Sequence, residues 1–490
     1  MKLSLIRRLD VLPLCLVGLA AGLLPVFLRP LLALGICLGI LAMVFILRNP
    51  RIGLFLVAGT IPLETVGKIG SLTANLPLTI PKIFTLASLV AWLVNLALRR
   101  MTFRRKPWMY YLPGFLAAAA ISLIGADETR SGFEALLRFS DTVIFFFLIV
   151  QLIDSEKMLK TCLIIFIIAG TGASSWSIIQ RYLPGDVFDF RYGWEEQGAR
   201  RGGVEKDIVE EHMLGGVVER SSGFSPHSIL LAFNVGLFLA PLVALMGNTG
   251  RRAALSRLAM FGMSLVLLAS VVVTFARTGF VIVVFGLALM IGRGLIRLSP
   301  AKVMVAIAVG LVFVFAAPDK YAARVFNFTA YTTKSASIQI RIDILKGALG
   351  QFLDHPFSGV GYGNRYGIFK YFTTYPDKKH AVTPHNSYVQ VASQTGLLGL
   401  VPLMFFFWQA NRRLERAIRR FFALGRPDMA RLGIGLSISL MIFLFAGLAI
   451  DLFDKGIAHA WMMIGASGAF ILLADEAYDK SHHQLRDDAA

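Results

Sequence analysis

A short polar segment, His385-Asn386-Ser387-Tyr388, stands where a long polar stretch of the sequence gives way to an apolar one. An imidazole at such a position could act as a general base, because histidine titrates near neutral pH. The alternative is structural, since His385 could cap the helix that follows or form a hydrogen bond within the loop. The residue types and their position are compatible with either role.

Two arginines could bind an anion at a membrane boundary. Arg277 precedes Thr278-Gly279 between two apolar runs, and Arg220 precedes Ser221-Ser222-Gly223 shortly before another. An arginine at such a boundary is costly unless it snorkels or pairs with an anion, and its planar fork binds two phosphate oxygens at once. For Arg220 the alternative is an ion pair with a nearby acid of the same loop. The candidate acids are Glu210, Glu211 and Glu219.

Three glycines alternate in the segment His355-Pro356-Phe357-Ser358-Gly359-Val360-Gly361-Tyr362-Gly363-Asn364. This spacing permits a tight turn or a close approach of the backbone to a ligand. It is not a nucleotide fingerprint, because no strand–turn–helix pattern surrounds it. No Asp-x-Asp pair occurs in the sequence. We therefore expect a metal-independent reaction with arginines as the electrostatic clamp, and we predict no cofactor and no metal site.

The elements that position these residues are membrane helices. The sequence is 56% hydrophobic and only 16% charged, whereas soluble chains carry about 25% charged residues. Its long apolar runs are continuous rather than alternating, which favours helices over a closed barrel. The predicted spans are 11–28, 31–47, 52–67, 82–98, 109–125, 135–153, 160–181, 227–247, 255–275, 278–293, 301–317, 396–411, 432–450 and 458–474. The predicted fold class is an all-α polytopic membrane protein with 12–14 transmembrane helices and two large loops on the non-cytoplasmic side, which would be periplasmic in a bacterial inner membrane.

The distribution of basic residues predicts the orientation of these helices. With the N-terminus in the cytoplasm, alternation of the spans puts every short basic loop on the cytoplasmic side, as the positive-inside rule requires. The same rule accounts for the net charge of +19, so no nucleic acid partner is expected. Both termini are predicted to be cytoplasmic, and two long loops fall outside. The predicted regions are helices 1–181, loop 182–226, helices 227–317, loop 318–395, helices 396–474 and a cytoplasmic tail 475–490.

Taken together, the polar segments resemble the bacterial O-antigen ligase and O-antigen polymerase superfamily. The similar pieces are Arg220-x-x-Gly223 with Pro226, Arg277-Thr278-Gly279, Arg341 ahead of the glycine segment, and His385-Asn386-Ser387-Tyr388 leading into Thr395-Gly396-x-x-Gly399. They cover about residues 215 to 410, and the His385 segment is the most specific of them. One departure is His227, where the family often has asparagine after the proline.

The resemblance implies a GT-C-like glycosyltransferase of lipopolysaccharide biosynthesis in the bacterial inner membrane. Its donor would be a glycan on undecaprenyl pyrophosphate, and the acceptor of a ligase would be lipid A–core, with membrane lipids around it. By carry-over, His385 would deprotonate the acceptor hydroxyl, and Arg220 and Arg277 would bind the pyrophosphate, with inversion at the anomeric carbon. Further candidates for substrate contact or positioning are Arg341, Asn386, Tyr388, Arg201 and Arg191.

Two other functions stay open at this point. An O-antigen or exopolysaccharide polymerase would use the same lipid carrier and the same residues, and no residue in the sequence separates it from a ligase. A membrane transporter is the alternative from another class. Transporters often show inverted repeats and broken helices at the midplane, whereas the polar segments here gather in outer loops, which favours the enzyme.

Overall fold

The computed structural model describes most of the chain from residue 30 onwards. It covers residues 30–487 apart from 64–67, 74–75, 128, 183–207, 212–215, 220, 222, 226, 247–250, 275, 298, 300–335, 365–382 and 454–456. The predicted spans 11–28 and 301–317 and the candidate residues Arg191, Arg201 and Arg220 lie outside the described residues.

Helices make up almost all of the described regular structure. They are α1 (Pro30–Arg48), α2 (Pro50–Thr60), α3 (Ile80–Ala97), α4 (Tyr111–Ile121), α5 (Thr129–Leu152), α6 (Glu156–Tyr182), α7 (Ser228–Leu245), α8 (Arg251–Val273), α9 (Arg277–Gly292), α10 (Ala336–Asp354), α11 (Ser387–Ala423), α12 (Pro427–Ala446) and α13 (Ala458–Asp487). Two short antiparallel hairpins accompany them, β1 (Lys68–Thr73) with β2 (Leu76–Thr79), and β3 (Ile208–Glu211) with β4 (Gly216–Glu219).

The structure confirms an all-α polytopic membrane protein. Within the described residues, 8 helices are long and apolar enough to cross a bilayer, and α9 is a shorter apolar helix. Every predicted span that falls on described residues overlaps a helix. The total of 12–14 crossings stays a prediction, because two of the predicted spans are outside the described residues.

Membrane helices such as α3 have one face of exposed apolar side chains and one face packed against the bundle. Along α3, the exposed side chains Leu86, Val90 and Leu93 form one stripe, while Ala87 and Ala91 are buried against the bundle. At the centre of the bundle, an aromatic cluster joins α5, α11 and α13. The ring of Trp461 lies 5.8 Å from Phe139 and 6.4 Å from Phe406.

Ion pairs cluster at one end of the bundle, which we call the basic end. They join the first turns of α2, α6 and α12, the ends of α5 and α9, the segment 104–106, the C-terminal part of α11 and residues 475–476 of α13. The pairs are Arg51–Asp154, Arg104–Glu476, Lys106–Asp475, Lys160–Asp428, Arg293–Glu415, Arg420–Asp475 and Arg426–Glu156. The basic loops that the sequence assigns to one side of the membrane thus meet at this basic end.

Two boundaries differ most from those that hydropathy predicts. The helix expected to start at residue 396 begins at Ser387, because Asn386 caps it, and Gly396 is a break inside it with φ 60° and ψ −160°. The predicted tail after Ala474 continues α13 as far as Asp487. Asp475 and Glu476 join the ion pairs of the basic end, so the start of the tail belongs to the packed bundle.

Candidate functional site

The first turn of α11 carries the His385 segment, and Asn386 fixes where that turn begins. The Asn386 side-chain Oδ1 accepts hydrogen bonds from the backbone N–H groups of Tyr388 and Val389, both at 3.1 Å. Asparagine is among the residues preferred at this capping position, because its side chain satisfies N–H groups that have no partner within the helix. The described contacts therefore give Asn386 a structural task.

This first turn is bonded to the turn between α12 and α13, residues 447–453. Ser387 donates its N–H to Gly447 O at 2.7 Å and its hydroxyl to Ile450 O at 2.6 Å. The Ser387 hydroxyl also accepts the N–H of Leu452 at 2.8 Å. Tyr388 donates its hydroxyl to Leu444 O at 2.5 Å, so its oxygen is engaged in holding α11 against α12. The His385 segment and the 447–453 turn consequently form one unit.

His385 stands at the surface of this unit above a buried acid. Its Nδ1 lies 3.3 Å from Oδ2 of Asp451, and the His385 side chain is 41% exposed while that of Asp451 is 0% exposed. Thr383 donates its hydroxyl to the same Asp451 oxygen at 2.6 Å. We assign the Nδ1 proton to this contact, which leaves Nε2 as the basic nitrogen of the neutral ring.

The backbone of His385 is in an uncommon conformation. Its φ is 51°, in the left-handed region that a non-glycine residue rarely adopts. Such a conformation costs of order 1–3 kcal/mol and persists where surrounding contacts over-determine it. Here the capped helix on one side and the bond to Asp451 on the other supply those contacts. This strained backbone conformation thus places the imidazole at the exposed surface.

Asp451 is the residue that sequence analysis missed. It directly follows the predicted span 432–450, and no Asp-x-Asp pair marks it. A usable signal existed, since charge parity puts the end of that span on the same side as His385. An acid at that boundary is expensive unless it is paired or functional.

The glycine segment, residues 356–364, crosses α11 where that helix is broken at Gly396. Its backbone takes over the hydrogen bonds that the break leaves open. The bonds are Val360 N to Ser393 O at 3.0 Å, Gly361 N to Gln394 O at 3.0 Å, Leu397 N to Pro356 O at 2.8 Å and Leu398 N to Phe357 O at 3.1 Å. Irregular backbone is tolerated at membrane depth only where other parts of the protein satisfy its hydrogen bonds.

The glycines of this segment allow the close approach to α11. A Cβ at Gly359, which has a φ of +69°, would collide with the Gln394 carbonyl. The sequence permitted a tight turn or a close approach to a ligand, and the described contacts show these glycines in close packing against the backbone of α11.

Arg277 is the first residue of α9 and is half-buried. Ala276, at the capping position, offers no side-chain hydrogen bond to the N-terminus of the helix. A helix N-terminus with free N–H groups attracts anions, and an arginine there adds a full positive charge. Gly279 allows α9 to pack directly on α7, since a Cβ there would collide with Ala232. The geometry can therefore hold an anion such as a phosphate.

Ser221, which follows Arg220 in sequence, is bonded beside the start of α9. Its N–H donates to Val273 O, at the end of α8, at 3.2 Å, and its hydroxyl donates to Ser177 O at 2.6 Å. Arg341 lies elsewhere, exposed on α10, the helix that leads into the glycine segment.

Arg277 and His385 are at the same end of the bundle. Phe285 of α9 stacks on Phe445 of α12 with ring centroids 4.1 Å apart. Arg277, about two helical turns earlier in α9, therefore lies beyond the last residues of α12, which also carry the first turn of α11. This site end is opposite the basic end defined above.

Residues 262–404 match the family model described as O-antigen ligase. The chain carries an O-antigen ligase domain. No curated protein matches the chain. The O-antigen ligase domain includes Arg277, Arg341 and the His385 segment, and it ends within α11, before Asp451. It marks a membrane enzyme of the O-antigen ligase and polymerase type.

Chemically, the site of this O-antigen ligase domain brings a histidine to the same end of the bundle as a helix N-terminus that can attract an anion. His385 can take up a proton at Nε2, and Asp451 stabilises the imidazolium that results. Within the described residues, no three His, Cys, Asp or Glu side chains converge as metal ligands would. Metal independence stays a prediction that chelation experiments can test.

Proposed function

We propose that this protein is an O-antigen ligase. It transfers O-antigen polysaccharide from undecaprenyl pyrophosphate to lipid A–core oligosaccharide, in an inverting, metal-independent reaction of GT-C-like type. The observation that carries the proposal is the imidazole of His385, held by buried Asp451 at the end of the bundle where α9 begins with Arg277. The O-antigen ligase domain contains both His385 and Arg277.

In the proposed reaction, His385 acts on the acceptor. Its Nε2 accepts the proton of a lipid A–core hydroxyl while that oxygen attacks the anomeric carbon of the donor sugar. The bond between that carbon and the pyrophosphate oxygen breaks, and undecaprenyl pyrophosphate leaves from the opposite face, which inverts the configuration. The proton on His385 then passes to water or to the departing phosphate. Asp451 acts through His385, as a positioning residue.

The arginines act on the leaving group in this proposal. Negative charge grows on the pyrophosphate as its bond to the sugar breaks, and groups already in place at that position stabilise the transition state most. Arg277 and the N-terminal N–H groups of α9 meet this need, and Arg220 supplies a second guanidinium. Arg341, Arg201 and Arg191 are proposed for further contacts with the glycan or the carrier. Asn386 and Tyr388 are proposed to hold the His385 turn in place.

The basic end of the bundle supports an orientation. Basic residues near the ends of membrane helices stay in the cytoplasm, so the basic end is proposed to face the cytoplasm of a bacterial cell, with the protein in the inner membrane. The site end is then periplasmic. Loops 182–226 and 318–395 are proposed to be periplasmic, and both termini cytoplasmic.

An O-antigen or exopolysaccharide polymerase is the runner-up, because it needs the same base and the same leaving-group site. The two functions differ in the acceptor, which a lipid analysis of a deletion strain identifies. A ligase defect leaves long glycan on the lipid carrier and bare lipid A–core. Lipid A–core capped with a single repeat unit would instead assign the polymerase reaction. Unchanged lipopolysaccharide in the deletion strain would contradict the ligase and the O-antigen polymerase. Loss of exopolysaccharide in that strain would then assign an exopolysaccharide polymerase, and unchanged exopolysaccharide would favour a function such as transport.

A further inference from the structure

A pocket lies between α2, α3, α5 and α13, and none of the candidate site residues lines it. Its charged lining residues are Lys82 of α3 and Asp141 of α5. Thr79 and Trp461 contribute a hydroxyl and an indole, and Phe145 is part of the apolar wall. Nothing in the proposed transfer reaction uses these residues.

The pocket is at the level where several helices end. Ile61 directly follows α2, Lys82 is in the first turn of α3, and Trp461 is in the first turn of α13. Because α13 starts just after the 447–453 turn, this is the site end of the bundle. Membrane helices end where the hydrocarbon gives way to lipid head groups. The pocket therefore extends from head-group level, at these helix ends, to Asp141 in the middle of α5.

Lys82 and Asp141 form a loose ion pair. The Lys82 Nζ is 3.8 Å from the Asp141 Oδ2, with side chains 27% and 43% exposed. Direct charge-assisted contacts are about 2.7–2.9 Å long, so each partner keeps capacity for another ligand. Ionisable side chains in membrane segments face cavities and mark binding sites by default. A single cation beside a single anion matches a ligand that carries both charges.

Two buried polar atoms in the lining add hydrogen-bonding capacity. Trp461 Nε1 and Thr79 Oγ1 are fully buried, and within the described residues neither has a hydrogen-bond partner. A buried polar group without a partner costs about 1–3 kcal/mol, which a bound ligand would relieve. Thr79 also stands at the N-terminus of α3 without capping it, and that helix end favours an anion. The positive part of the pocket is thus rich in donors, and Asp141 is its acceptor.

We propose that this pocket binds the head group of an aminophospholipid, with a phosphate diester beside a primary ammonium. The phosphate accepts hydrogen bonds from Lys82, Thr79 and Trp461, and the ammonium donates to Asp141. A choline head group has no N–H to donate to Asp141, and an anionic glycerol head group brings no cation to it. The pocket therefore selects phosphatidylethanolamine over phosphatidylcholine and phosphatidylglycerol.

The test measures lipid binding by the purified full-length protein. Native mass spectrometry gives dissociation constants for phosphatidylethanolamine, phosphatidylcholine and phosphatidylglycerol of identical acyl chains. The wild type is expected to bind phosphatidylethanolamine about ten-fold or more tightly than the other two, as one charge-assisted hydrogen bond supports. Equal affinities for the three lipids would overturn the proposal and leave only a general lipid annulus.

Variants then separate binding from structural support. Asp141→Asn is expected to abolish the preference for phosphatidylethanolamine, and Trp461→Phe to weaken its binding several-fold. Lys82→Asp combined with Asp141→Lys keeps an ion pair but reverses it, and this double variant is expected to lose the preference while keeping the wild-type melting temperature. If the double variant retains the preference, the ion pair only links α3 to α5 and does not bind the lipid, which would contradict the proposal. Lys160→Asp with Asp428→Lys, at the basic end, is the matched control and should bind all three lipids as the wild type does.

Discussion

Replacing Asp451 by asparagine removes a charge from beneath the proposed catalytic base with almost no change in volume. The Asp451 carboxylate is 3.3 Å from the Nδ1 of His385. At an effective dielectric constant of about 20, two unit charges at that distance attract each other by about 5 kcal/mol. Because the His385 side chain is 41% exposed, water screens the pair and leaves roughly half of that energy.

A loss of about 2–3 kcal/mol from the transition state corresponds to a fall in kcat of about 100-fold, at roughly 1.4 kcal/mol per factor of ten. The charge on His385 develops only as the proton is transferred, so KM for the lipid-linked donor should stay within about two-fold of wild type. The assay follows glycan transfer to lipid A–core by purified protein at matched concentration. Thermal melting of each variant checks that the fold survives.

Two controls sharpen this prediction. Thr383→Val removes the second hydrogen bond to Asp451 but keeps the carboxylate charge, so it should lower kcat by less than about ten-fold. Asp154→Asn breaks an ion pair at the basic end and should leave kcat unchanged. If Asp451→Asn transfers glycan within three-fold of the wild-type rate, the proposed coupling of Asp451 to the base is wrong.

Four further outcomes are expected. His385→Ala should reduce kcat by about 10²–10⁴-fold, as loss of a general base does, and wild-type turnover would rule out the assignment. Arg277→Ala should cost about 10²–10³-fold in kcat/KM, with partial recovery in Arg277→Lys; identical kinetics of the two variants would argue against a charge interaction with the leaving group. Gly396→Ala should lower the melting temperature by the equivalent of about 1–3 kcal/mol, because its φ and ψ are open only to glycine, while Gly262→Ala, which has open space around it, should not. Turnover should survive excess chelator, and recovery of lost activity by an added divalent cation would refute metal independence.

Hydropathy was sufficient to predict the architecture, because each span carries its own apolar signal. The run 135–153, for example, is part of α5, and its buried and exposed faces follow from helical geometry. The His385 segment was also recognisable, since its polar residues stand where a polar stretch meets an apolar one. The capping residue is Asn386, however, and not His385. The features that could be predicted are thus those that depend only on residues close together in the sequence.

The rest depends on contacts between distant parts of the chain. Asp451 acquires meaning only when the 447–453 turn packs against the first turn of α11, 66 positions away from His385 in sequence. The helix break at Gly396 is tolerated only because residues 356–364 form hydrogen bonds with the backbone groups that the break leaves open. Hydropathy averages over both features, which is why it placed the start of α11 too late.

The most direct measurement of the central claim is a transfer assay with the purified full-length protein in lipid nanodiscs. The two substrates are undecaprenyl pyrophosphate carrying a defined glycan and lipid A–core. We predict glycan attached to lipid A–core with inverted anomeric configuration, and no such product with His385→Ala. Elongation of the carrier-linked glycan while lipid A–core stays unmodified would contradict the ligase assignment.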